Sequence, residues 1–174
     1  MVFAAGLGTR LRPLTNTTPK PLIEVQGKPL IVHALTLLKQ TGVQEVMVNA
    51  HYLADQISSF LGDGSQFGLT ISLSYEETLL GTGGGLFKVR DFFRDEPAFF
   101  VMNSDTLLDV DLKEMMNLHQ RTRAQATLLT HIRNPEFGGV WVDTLESRIC
   151  SLLKSPESSS SPSSLREMDF CGVS

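Results

Sequence analysis

The chain has 174 residues, of which 41% are hydrophobic and 20% charged, a balance that suits one soluble globular domain and excludes wholesale disorder. A formal net charge of −4, from 15 basic and 19 acidic residues, leaves no cationic footprint for a nucleic-acid backbone or an anionic membrane. Cys150 and Cys171 form neither a C-x-x-C pair nor a zinc pattern. No apolar run nears the ~18 residues of a membrane span and no secretory leader is visible, so the cytoplasm is the default compartment.

In chain order, Val2–Ala5 reads as a short buried strand that ends in Gly6. Pro29–Thr41 places Leu30, Ile31, Ala34, Leu35 and Leu38 on one helical stripe, with Pro29 suited to the first turn and Gly42 to the stop. Glu45–Asn49 predicts a strand, Leu53–Leu61 a helix stopped by Gly62, and Leu69–Tyr75 a strand. Leu86–Phe93 follows a glycine cluster and predicts a helix, and Ala98–Met102 an apolar strand. Asp111 and Glu114 open a helix to Thr122 in a capping-box-like arrangement. Ala126–Ile132 and Val140–Asp143 predict strands. The alternation of strands with short helices predicts an α/β fold, a mostly parallel sheet covered by helices on both faces. Ligands of such sheets sit outside the carboxyl ends of the strands. Ser155–Ser164 contains seven serines and two prolines, which reads as a flexible surface loop without chemistry.

Three loops that follow strands carry the unusual residues. Ala4-Ala5-Gly6-Leu7-Gly8-Thr9-Arg10-Leu11-Arg12-Pro13-Leu14-Thr15 is a glycine turn whose main-chain N–H groups could wrap a phosphate chain. It lacks the third glycine of a dinucleotide fingerprint, which counts against a nicotinamide oxidoreductase, and the closing G-K-[ST] of a Walker A loop. Lys20 stands between Pro19 and Pro21, so its backbone is preset, and with Arg10 it fits charge stabilisation of a polyphosphate. The bland alternative is a turn with solvated cations. Glu76 to Gly85 holds four glycines in five positions, a surface that suits a flat nucleobase or simply a turn before a helix. Asn103-Ser104-Asp105 ends an apolar strand, where a carboxylate is well sited for Mg²⁺. Asp111 reads as a helix cap. His33 reads as a packing residue, and His51 as a helix-entry residue rather than a pocket wall.

The first motif, with Pro19-Lys20-Pro21 and Lys28-Pro29-Leu30-Ile31, resembles the signature of the sugar-1-phosphate nucleotidyltransferases. Gly62-Asp63-Gly64-Ser65-Gln66-Phe67-Gly68 and Thr82-Gly83-Gly84-Gly85 look most like the branch with N-acetylmuramate-1-phosphate uridylyltransferase and mannose-1-phosphate guanylyltransferase. The resemblance implies a Rossmann-like three-layer sandwich of the nucleotide-diphospho-sugar transferase type, as a single domain truncated at its carboxyl end. It implies an enzyme joining an NTP (UTP or GTP) and a sugar 1-phosphate into an NDP-sugar and pyrophosphate, with Mg²⁺ as cofactor. Arg10 and Lys20 take the catalytic positions. Ala4, Ala5, Gly6, Gly8, Thr9, Glu76, Gly81 and Thr82 take the nucleotide positions, Asn103 and Gly139 the sugar side, and Asp105 the metal. The family's Gly-Asp is Ser104-Asp105 here, its sugar-binding Glu-Lys pair is reduced to a displaced Lys154, and its Asp-(Val/Ile)-Gly-Thr segment with the second metal aspartate has no counterpart. That last departure admits a non-catalytic nucleotide-sugar sensor on the same fold.

Overall fold

The structure is a computed structural model that describes residues 1–131, 140–144, 148–152 and 165–170. The chain divides into two compact units, Met1–Gln125 and Ala126–Ser174.

The first unit runs through β1 (Val2–Phe3), β2 (Glu24–Val25), β3 (Lys28–Pro29), α1 (Leu30–Thr41), β4 (Glu45–Ala50), α2 (Ala54–Leu61), β5 (Thr70–Tyr75), α3 (Gly81–Lys88), β6 (Met102–Asn103) and α4 (Leu112–Thr122). Its main sheet has the order β5-β4-β1-β6 and is parallel throughout. The chain steps outward from β1 through β4 to β5, then returns to the far side of β1 as β6. Parallel crossovers are almost always right-handed, so α1 and α2 cover one face and the crossover bearing α3 covers the other. The chain thus reverses its direction of travel across the sheet at β1, and a crevice at the carboxyl ends of the strands is where ligands of such sheets sit.

Alternation along the strands divides the core between the two faces. On one, Val2, Val46, Val48 and Ala50 are at most 1% exposed, and α1 buries Leu30, Ile31, Ala34, Leu35 and Leu38. On the other, Met1, Met47, Val89 and Phe93 form a cluster with Phe3, Leu86, Phe92, Phe99 and Val101. Full burial of each such Leu, Ile or Phe stabilises by about 1.5–3 kcal/mol relative to exposure. The helix ends follow their sequence signals. Gly42 closes α1 at φ 102°, and Asp111 caps α4 by accepting from the N–H of Lys113 at 2.8 Å and of Glu114 at 3.1 Å.

Three stretches of the first unit differ from expectation. The helix expected from Leu86 begins at Gly81 and ends at Lys88, with a 3-10 turn at Arg90–Phe93, because a carboxylate ahead of the glycines caps its start (below). The strand expected at Ala98–Met102 is present as Met102–Asn103, which pairs Val2 to Met102 and Phe3 to Asn103. Upstream, the Met1 nitrogen donates to Phe100 O at 2.7 Å, beside a cavity of about 650 Å³ at the amino end of the sheet. The β2–β3 hairpin was not anticipated. Its Gln26-Gly27 turn has positive φ at both positions, 54° and 74°, as a type I′ turn requires.

The second unit contains β7 (Thr130–His131), β8 (Val140–Asp143), β9 (Arg148–Leu152) and β10 (Leu165–Phe170), an antiparallel sheet of order β7-β10-β8-β9. The expected Val140–Asp143 strand is present as β8, and that of Ala126–Ile132 contracts to β7, with Ile132 outside the described residues. Gly139, Lys154, Ser155–Ser164 and Cys171 also lie outside the described residues. Among the described residues no helix is long and apolar enough to cross a membrane.

Candidate active site

The main chain leaves β1 into the crevice with Ala4 and Ala5 buried, at 2% and 4% exposure, and Gly6 open. No atom stands within 4 Å of where a Gly6 Cβ would be, so internal packing does not demand glycine there. Gly8 is different. It sits at φ 63°, and a Cβ would meet Thr15 Cγ2 at 2.8 Å. Thr15 is 1% exposed and donates its hydroxyl to Gly8 O at 2.9 Å, which folds the loop back on itself. The following Thr9–Leu11 forms a 3-10 turn, and the Arg12–Pro13 bond is cis. The loop is also held from outside. Tyr52 donates its hydroxyl to Thr15 O at 2.9 Å and Asn16 O at 3.2 Å, and Gln56 Nε2 donates to Thr17 O at 2.9 Å.

Lys20 opens the 3-10 turn Lys20–Leu22, and its ammonium forms an ion pair with the carboxylate of Asp105 just beyond β6. Each side chain is 33% exposed, so the pair is worth at most about 1 kcal/mol and is readily exchanged for another partner. Ser104, 3% exposed, donates its N–H to Phe3 O at 3.0 Å and carries the strand pairing up to the residue before Asp105.

The third loop is built around a buried carboxylate. Glu76, 4% exposed, accepts from Asn49 Nδ2 at 2.7 Å on Oε1 and from the Leu80 N–H at 3.0 Å on Oε2. A helix start leaves unpaired N–H groups and favours nearby negative charge, so this contact lets α3 begin inside a glycine run. The Glu76 main chain is tied to the end of β4 as well: its N–H donates to Ala50 O at 2.8 Å, and His51 Nδ1 donates to its carbonyl at 2.7 Å.

These loops enclose a cleft of about 320 Å³ whose lining includes Ala4, Ala5, Gly6, Lys20, Glu76, Gly81, Thr82, Asn103 and Asp105. Nine of the residues singled out from sequence are thus brought together. Gly8, Thr9 and Arg10 are not on the cleft wall; Thr9 and Arg10 stand exposed in the loop at its side, and Arg10 makes no ion pair among the described residues. Asn49, 2% exposed, also lines the cleft and was not anticipated; its only sequence signal is an amide within the apolar run Val46–Ala50. His33 is a packing residue as expected, its Nε2 3.0 Å from Val25 O in the hairpin.

The cleft offers a cation, exposed main chain and a carboxylate, which together suit a polyanion with a hard metal ion. Among the described residues no group of three His, Cys, Asp or Glu side chains is placed to hold a metal. Mg²⁺ does not need one, since it commonly takes one or two carboxylates and completes its shell with phosphate oxygens and water. Asp105 fits that role.

The sequence profile of the Nucleotidyl transferase family matches residues 1–164. The chain belongs to the sugar-1-phosphate nucleotidyltransferase family. It is 41% identical over 141 residues to a UTP–glucose-1-phosphate uridylyltransferase of Synechocystis sp., covering 75% of this chain and 36% of that protein. It is 37% identical over 159 residues to a mannose-1-phosphate guanylyltransferase of Mycobacterium tuberculosis (90% and 44%). With an N-acetylmuramate alpha-1-phosphate uridylyltransferase of Neisseria meningitidis it shares 47% over 112 residues (64% and 48%). The chain thus spans less than half the length of these curated relatives. Its fold superposes with a TM-score of 0.83, at 25% identity, on a Bacillus anthracis protein described as a glucose-1-phosphate thymidylyltransferase, covering 99% of this chain and 68% of that one. A UDP-glucose pyrophosphorylase solved with UDP-glucose gives a TM-score of 0.72 at 23% identity, with coverage of 99% and 73%. The expected α/β Rossmann-like fold is therefore present.

Proposed function

We propose that the cleft joins a nucleoside triphosphate to a sugar 1-phosphate, giving an NDP-sugar and pyrophosphate. The observation that carries this reading is the meeting of Lys20 and Asp105 at a cleft walled by the main chain of two glycine turns. A phosphate oxygen of the sugar 1-phosphate attacks the α-phosphorus; a new P–O bond forms there as the bond to the β-phosphate breaks and pyrophosphate leaves. The attacking group has a second pKa of about 6 and is already mostly dianionic at neutral pH, so no general base is required. The barrier is the approach of two anions, and positioning with electrostatic stabilisation lowers it.

Lys20 exchanges Asp105 for the α-phosphate or the sugar phosphate and holds them in line. Arg10, exposed beside the cleft, neutralises the leaving pyrophosphate. Ala4, Ala5, Gly6, Gly8 and Thr9 form the phosphate-side turn. Gly81 and Thr82, with Glu76 behind them, form the base side, and Asn103 faces the sugar. Gly139 is retained as a sugar contact on the resemblance alone. Asp105, freed from Lys20, would hold Mg²⁺, which when bound neutralises and clamps phosphate oxygens. UTP and GTP are the expected nucleotides, since the relatives above include both uridylyl- and guanylyltransferases.

The test is pyrophosphate release with four NTPs against several sugar 1-phosphates. For the productive pair, Lys20→Ala and Arg10→Ala should each slow turnover by about 10²–10³, the usual cost of removing an electrostatic donor. Equal rates in all three proteins would remove both residues from the mechanism. Nucleotide binding by calorimetry without any turnover would favour the sensor reading instead.

A further inference from the structure

The buried pair Asn49–Glu76 does more than fill space. Asn49 lies on β4 opposite Phe3 of β1 and Ser74 of β5, at the centre of the sheet. Its Oδ1 accepts from the Ala4 N–H at 2.8 Å, the first residue of the phosphate-side turn. Its Nδ2 donates to Glu76 Oε1 at 2.7 Å, and Glu76 Oε2 accepts from the Leu80 N–H at 3.0 Å, the residue before Gly81. One continuous chain of hydrogen bonds thus runs from one glycine turn to the other beneath the cleft. All its members are buried or part-buried, and Glu76 has no cationic partner among the described residues.

Gly85 bears on the same pair. A Cβ there would stand 2.9 Å from Glu76 Oε1 and 3.1 Å from Asn49 Nδ2. Helix α3 is therefore shaped to the pair by a missing side chain, as the strands are by their register.

We propose that Asn49 and Glu76 are positioning residues that set the spacing between the phosphate-side and base-side turns, and so decide whether one nucleotide can engage both. Each carboxylate oxygen of Glu76 accepts one of these hydrogen bonds, so the side chain orients the turns while its remaining acceptor capacity stays open to the base. The inference rests on the nucleotide reading of the cleft.

The polarity of the hydrogen bonds supplies the test. Asn49→Asp alone sets two carboxylates against each other. Glu76→Gln alone leaves two donors, Asn49 Nδ2 and Leu80 N–H, for a single amide oxygen. In the double variant N49D/E76Q the pattern closes again. The carboxylate introduced at position 49 accepts from the Ala4 N–H and from the amide introduced at position 76, and the oxygen of that amide accepts from Leu80. Calorimetry with the productive nucleotide, UTP or GTP, should show each single variant weakened by about tenfold or more, as an unpaired buried group implies, and the double variant restored to within about threefold. Inorganic pyrophosphate, too short to reach both turns, should bind all four proteins alike, a separation that simple loss of stability would not produce. A double variant no better than the singles, or parallel loss of pyrophosphate, overturns the proposal.

A ligand-free arm uses amide NMR of the native protein and Glu76→Gln. Ala4 does not touch residue 76, yet its amide signal should shift and lose exchange protection together with that of Leu80. An unmoved Ala4 signal overturns the coupling whatever the cleft binds. Should a single variant not fold, Gly85→Ala serves in its place and should displace both amide signals; unchanged signals again overturn it. Failure of the native chain to bind any nucleotide counts against the proposed function, while the NMR arm still decides this inference.

Discussion

Gly6 and Gly8 are two residues apart and are glycine for different reasons. At Gly6 a methyl would enter the open cleft, with no protein atom within 4 Å. Gly6→Ala should therefore leave the midpoint of chemical denaturation nearly unchanged, within about ±0.5 kcal/mol as for surface substitutions, and weaken nucleotide binding. At Gly8 the left-handed backbone, φ 63°, and the 2.8 Å approach to Thr15 Cγ2 both oppose a side chain. Gly8→Ala should cost about 1–2 kcal/mol in urea denaturation from the backbone alone. Equal stability of the two variants would refute this division. The sequence made the glycine turn, Lys20 and Asp105 legible because each is local: a motif, a lysine between prolines, a carboxylate past an apolar strand. It did not make Asn49 legible. The value of an amide in Val46–Ala50 depends on which strand lies beside it, and the register Phe3 to Asn49 is a tertiary fact.

At the scale of elements, the clearest sequence signal was Asp111 as a cap. Asp111→Ala removes the acceptor for two N–H groups of α4 and should lower stability by about 0.5–2 kcal/mol in equilibrium denaturation, with nucleotide affinity unchanged because α4 does not line the cleft. Asp63 makes a comparable contact in the turn before β5. It accepts from the Ser65 N–H at 2.9 Å, and this hydrogen bond holds its carboxyl pKa below the ordinary 3.8. A lowered pKa means that the unfolded chain binds the proton more readily. The contribution is therefore present above pH 3.8 and is lost as pH falls through the lowered value. Asp63→Asn should flatten that acid limb in thermal melts taken across the acid range; an identical pH profile would exclude Asp63 from it.

Elements depart from their local signals where a partner distant in sequence decides the outcome. Four glycines in Gly81–Gly85 argue against a helix, each costing about 1 kcal/mol relative to Ala, and Glu76 five residues earlier offsets part of that cost by capping at Leu80. The apolar run from Ala98 looks like a strand and lacks an opposing strand until Met102. In β2 and β3 two residues each are too few to show alternation.

For the whole molecule, the strand order β5-β4-β1-β6 explains why residues from loops far apart in sequence share one cleft. The reversal of direction at β1 opens the crevice, and each of the three loops fills part of it. A ligand spanning them should stabilise the first unit by mass action: at a nucleotide concentration 100 times Kd the gain is about 2.7 kcal/mol, read as a rise in melting temperature. No rise with any of four NTPs would show that the cleft is not where nucleotides bind.

The place of β1 in the sheet has a mechanical consequence. Strand β1 pairs with both β4 and β6 and is the seam that stitches them together. Helix α2 packs on β5, in the long β4–β5 half, and can stay wound after that seam parts. Warming should therefore abolish nucleotide capture several degrees before far-ultraviolet circular dichroism reports melting, because the fabric of the protein outlasts the join on which its pocket depends.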